Sequence, residues 1–160
     1  MKAASVSDIK KELQTLPPSE LLAICLRLAK FKAENKELLT YLLFEANDVR
    51  GFIASVKEEI DEAFAEIGRD RTYLAKKKLR KIIRITNKYI RYMGNKEAEP
   101  ELLLYICQHM KDAYMVNRRN VQVQNIYMQL LKKSVKVIAS LHPDLQYDYV
   151  RVVNQLEVDL

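Results

Sequence analysis

Glycine and proline are scarce in this chain, three and four residues in 160. That leaves little material for the tight turns a β protein needs at every reversal, so an antiparallel β fold is excluded first. Cysteine is scarce too. Cys25 and Cys107 each sit inside an apolar helical pattern, ICL and YIC, and read as small buried hydrophobes, not as a disulfide pair or a nucleophile. There is no CxxC, no Cys/His spacing for zinc and no ExxH for a carboxylate-bridged metal site. No metal, cofactor or catalytic residue is therefore expected, and the chain is not read as an enzyme. The opening MKAASVSDIKKE has no apolar signal core, and no apolar run approaches the length of a membrane span, so a cytoplasmic protein is expected.

What is present favours helices. Hydrophobic residues make up 49% and charged residues 30%, a globular balance dominated by Leu, Lys, Glu, Ala and Ile. A chain of this length can bury roughly 70% of the surface it exposes when unfolded. Ser7 can cap a first helix that stops at Pro17 and Pro18. A second begins near Ser19, with Leu22, Leu26 and Ala29 as core stripe and Leu21, Cys25 and Leu28 beside it. Asn35 reads as the cap of a third, through Leu38, Leu39, Leu42 and Leu43. Asp48 reads as the cap of a fourth, where Phe52, Ile53, Val56, Ile60, Phe64 and Ile67 keep the helical rhythm up to Gly68. A basic helix over 72–93 ends at Gly94. Three more follow, over 99–116, 120–141 and 144–157. Every connection is short. The expectation is a single all-α domain over residues 1–160, with seven or eight antiparallel helices in a stack or bundle.

ELLTYLLFE (37–45) and ELLLYICQH (101–109) suggest an internal repeat pairing 19–67 with 72–141. The longer stretch LPPSELLAICLRLAKFKAENKELLTYLLFE, with the later KKKLRKIIR, resembles small all-helical bacterial proteins of families with no assigned function. The likeness covers the first two thirds of the chain. It implies HEAT-like or armadillo-like helix stacking, and it implies no activity and no site residues.

The charge is concentrated. Residues 69–96 hold eleven Lys or Arg and one acid, Asp70, a net +10 in a chain whose total is +6. With about 100° of rotation per residue, Ala75, Leu79, Ile82, Ile83, Thr86, Ile90 and Met93 share one face. Lys77, Arg80, Lys81, Arg84, Lys88 and Arg91 form a ridge on the opposite face. Tyr73 and Tyr92 lie at its flanks, where an aromatic ring could stack on a base or a sugar. Such a ridge can neutralise phosphates, but no helix-turn-helix, zinc-finger or RNA-recognition signature accompanies it. It can also be an ordinary solvated face, or be answered by Glu58, Glu59, Asp61, Glu62 and Glu66 of the preceding helix.

Other polar features are local. LHPD at 141–144, after Lys132, Lys133 and Lys136, resembles the His-Pro-Asp loop of J-domain co-chaperones. The packing helix such a domain needs after the loop has only sixteen residues available here. Helix capping accounts for His142, Pro143 and Asp144. His109 and Asp112 stand close enough on one helix to touch, without a nucleophile beside them. Arg118 and Arg119 fall in a polar turn. The sequence points to a non-catalytic helical adaptor or scaffold that binds another macromolecule, with the six cations of the ridge as its partner surface. The alternative is a nucleic-acid-binding protein that uses the same ridge without sequence specificity.

Overall fold

A computed structural model describes residues 2–67, 73–116 and 120–157, all but the side chain of Tyr73. Among the described residues there are eight α-helices, one π-helical turn and no strand, so the protein is all-α. Gly68, Arg69, Asp70, Arg71, Arg118 and Arg119, to which the sequence assigned a helix stop and part of the basic surface, lie outside the described residues. The chain forms two compact units, residues 1–45 and 46–160.

In the first unit α1 (Val6–Thr15) is capped by Ser5, not Ser7: its Oγ accepts from the Asp8 N–H at 3.2 Å. Pro18 takes the first position of α2 (Pro18–Phe31), where its missing N–H costs nothing. Next comes α3 (Ala33–Thr40), which runs into one π turn over Tyr41–Glu45. Asn35 lies inside α3 instead of capping it, and its side-chain amide donates to the Leu28 carbonyl at 2.9 Å, tying the hairpin shut. The expected core stripe of α2 is uncovered: Leu22 is 61% and Leu26 49% exposed, and Cys25 is exposed as well. The cause is the breadth of the apolar arc on α2, which α3 alone cannot span.

The second unit is a five-helix bundle. Asp48 caps α4 (Val49–Ile67) by accepting from the Gly51 N–H at 2.9 Å. Ile53, Val56, Ile60, Phe64 and Ile67 are buried along it. Next is α5 (Tyr73–Met93), which buries Ala75, Leu79, Ile82, Thr86 and Ile90. Gly94 stops it in the left-handed region at φ 57°. Then come α6 (Ala98–Asp112), α7 (Val121–Ile138) and α8 (Pro143–Glu157). Side-chain bonds fix the directions. Lys78 meets Glu66 and Tyr89 meets Glu59, so α4 and α5 are antiparallel. Lys57 meets Glu101 and Tyr105 meets Asp61, so α4 and α6 are parallel. Tyr149 reaches the Glu97 carbonyl and Lys111 the Gln155 carbonyl, which makes α8 parallel to α6.

The centre is α6, which contacts α4, α5, α7 and α8. Leu102, Leu103, Leu104, Ile106, Cys107 and Met110 point to several sides and are all buried, as a helix apolar around most of its circumference requires. ELLTYLLFE, the segment matched to it by the internal-repeat reading, has Leu42, Leu43 and Phe44 exposed at 54%, 60% and 74%. The two segments share a pattern and occupy unlike environments.

Candidate macromolecule-binding surface

The buried seam of α5 pins that helix to the bundle, which turns its opposite face outward. Lys77, Arg80, Lys81, Arg84 and Arg91 are exposed, and Lys88 is half-buried. The structure therefore brings all six cations of the ridge onto one rigid helix. Lys88 differs from the rest: its Nζ lies 5.5 Å from the centre of the Tyr89 ring and 5.9 Å from that of Tyr92, within range of a cation–π attraction.

Two acids of α4, Glu59 and Asp61, are bonded to side chains other than the cations of the ridge. Asp61 accepts from the Tyr105 hydroxyl at 2.7 Å and lies 2.9 Å from His109 Nε2, which directs it to α6. Glu59 accepts from the Tyr89 hydroxyl at 3.0 Å. Lys78 bonds to the Glu66 backbone carbonyl, not to a carboxylate. Among the described residues, no carboxylate forms an ion pair with Lys77, Arg80, Lys81, Arg84 or Arg91.

Between α4 and α5 runs a groove of about 310 Å³. Val56, Ile60, Ile82 and Thr86 form its floor, Glu59, Glu62 and Glu66 one rim, and Lys78 and Lys81 the other. A second hollow, about 460 Å³, opens at the far end of α5 between Asn87, Arg91, Lys96 and Lys133. Lys133 of α7 donates to Asn87 Oδ1 at 2.8 Å and pairs with Glu99, also at 2.8 Å. Lys133 thus ties α7 to α5, with its charge answered by Glu99. Nothing local in the sequence places Lys133 there, because only the tertiary fold brings the last half of α7 beside residue 87. The available signal was the spacing of Lys132, Lys133 and Lys136 on one helix.

Two other expectations resolve differently. His109 does not pair with Asp112, which accepts from Gln108 at 2.8 Å. Instead His109 stacks on Phe64 with centroids 5.0 Å apart, meets the edge of Tyr105 and bonds Asp61. The Tyr105 hydroxyl is held neutral, its pKa pushed up to about 12, first by its hydrogen bond to the Asp61 carboxylate and then by burial. At LHPD the eighth helix starts at Pro143, one residue earlier than expected. His142 precedes it, accepting on its carbonyl from the Gln146 N–H at 3.0 Å, while Asp144 sits in the first turn. Both side chains are exposed. Among the described residues no group of His, Cys, Asp and Glu could hold a metal ion, and no helix is long and apolar enough to cross a membrane. No family model, curated protein or solved structure matches the chain.

Proposed function

We propose that this protein is a non-catalytic helical adaptor of the cytoplasm that docks an acidic face of another macromolecule onto the basic ridge of α5. One observation carries the reading: five exposed cations of the ridge have no ion-pair partner among the described residues, while Glu59 and Asp61 of the neighbouring helix are bonded elsewhere. Opposite charges that meet a partner lose less than charges already paired within the fold, because no internal pair must first be broken. The ridge supplies steering and register, which charge does more effectively than it supplies raw affinity. The neighbouring groove, with its apolar floor, gives a protein partner something to bury.

A second reading is a nucleic-acid-binding protein without sequence specificity. It is favoured by Lys88 lying beside Tyr89 and Tyr92, a cation next to aromatic faces on which a base can stack.

The two readings part in one experiment. Labelled polyglutamate, single- and double-stranded DNA and RNA are titrated with the protein and with the variant Lys81→Glu, Arg84→Glu, Lys88→Glu, at low and near-physiological salt. The adaptor reading expects polyglutamate to bind at least tenfold better than an oligonucleotide of equal charge at physiological salt, with binding lost in the variant. Oligonucleotide binding that survives physiological salt and disappears in the variant selects the second reading. If no probe responds to the substitutions, the ridge is a solvated face and both readings fail.

A further inference from the structure

Helices α4 and α5 are tied together at two places. The Lys78 ammonium donates to the Glu66 carbonyl at 2.7 Å, and the Tyr89 hydroxyl donates to Glu59 at 3.0 Å. The groove of about 310 Å³ lies between the two helices, walled by parts of 56–66 and of 78–89. At 1.5 Å of rise per residue those stretches are about 15 Å long, close to three helical turns. Both walls are helical, so their backbone groups are already bonded within each helix. An extended peptide buried here would leave its own N–H and C=O groups without partners. A helix satisfies its own backbone and brings only side chains to the walls. The rims set the charges such a helix must carry. Glu59, Glu62 and Glu66 recur at i, i+3 and i+7 along one edge of α4, and Lys78 and Lys81 stand on the opposite rim. Among the described residues, neither lysine forms an ion pair with these acids. Half-buried Ala63 and Ile85 line the walls between the charges.

We propose that the groove between α4 and α5 docks an amphipathic helix of a partner protein, one with an apolar stripe, bases along one edge and acids along the other. The inference rests on the adaptor reading and names the shape of its partner. The basic edge meets Glu62 and Glu66. The acidic edge meets Lys78 and Lys81 and lies on the side of α5 that continues into the ridge. Opposed rims do more than attract. A helix with acids on both edges sets like charge against α4, and one with bases on both edges sets like charge against α5, so each is disfavoured. Turning a helix end for end in a groove exchanges its edges, so a mixed-edge helix finds its charges matched in one direction only. The groove thereby fixes which way round the partner enters.

Three labelled, stapled helical peptides of about 15 residues test this by fluorescence anisotropy with the full chain at near-physiological salt. All share one Leu stripe. The first carries Lys on one edge and Glu on the other, the second Glu on both edges and the third Lys on both. The mixed peptide is expected to bind at least fivefold more tightly than either of the others. Glu62→Lys combined with Glu66→Lys makes both rims basic and is expected to transfer the preference to the all-Glu peptide. Both positions are exposed, so helicity is expected to stay unchanged. Ala63→Gln puts a longer side chain into the groove and is expected to weaken the mixed peptide at least threefold. A wild type that prefers the all-Glu peptide captures acids on the ridge alone: the groove inference then falls while the adaptor reading stands. A mixed peptide that does not bind at hundreds of micromolar, equal binding of all three, or a preference that ignores the Glu62 and Glu66 changes also overturns the inference. Polyglutamate binding decides the adaptor reading separately.

Discussion

At the scale of single residues, environment separates side chains that the sequence treats alike. Cys25 and Cys107 both read as buried hydrophobes, yet Cys25 is exposed and Cys107 fully enclosed. Burial pushes the Cys107 thiol up to about 12, so it is not ionised near neutrality and not reachable. An aromatic disulfide reagent is expected to label one thiol rapidly in the native protein, and the second only on unfolding. Tyr105 gives a pH dependence. Its pKa rises from 10.0 to about 12 on folding, so the neutral hydroxyl stabilises the native state fully below about pH 10. Above that the unfolded chain loses its proton first, and the contribution disappears as pH climbs through 12. Tyr149, raised to about 12 chiefly by burial, acts in the same direction. Urea denaturation of Tyr105→Phe is expected to show a loss of about 1 kcal/mol at pH 8 and a shallower decline between pH 10 and 12 than the wild type.

At the scale of helices, ends are decided locally and the covering of faces is not. The basic helix was expected over 72–93 and spans Tyr73–Met93, because Gly94 supplies a stop that only a left-handed conformation makes. Gly94→Ala has no clash to relieve but must adopt φ 57°. It is expected to cost about 1 kcal/mol in thermal or chemical denaturation. Asp48 and the core faces of α4 and α5 were legible for the same reason: a cap and a 3.6-residue period are local. The expected core face of α2 is open instead, with Leu22 and Leu26 exposed. Its pattern says which residues are apolar, and how many neighbours exist to cover them is not a local property.

At the scale of the whole molecule, the core and the exposed ridge of α5 are expected to respond differently to substitution. Leu103, fully buried on central α6, is expected to cost 2–5 kcal/mol when changed to Ala, measured by chemical denaturation. The triple charge reversal on α5 alters exposed or half-buried positions. It is expected to shift the same denaturation curve by less than about 1 kcal/mol while removing the salt-sensitive binding to acidic probes. That separation of effects distinguishes a surface built for a partner from one that holds the fold together.

The amino-acid sequence by itself determined that the protein is all-α, where most helices lie, and that six cations share one face of α5. Each of these follows from backbone preference, caps and periodicity within one segment. Tertiary structure alone decided that Glu59 and Asp61 of α4 bond Tyr89, Tyr105 and His109, that Lys133 packs beside α5 with Glu99 as its ion partner, and that α2 keeps an open apolar flank. A charge's partner depends on which helix packs beside it and at what register, and residues 30 to 48 positions apart in the chain settle that together.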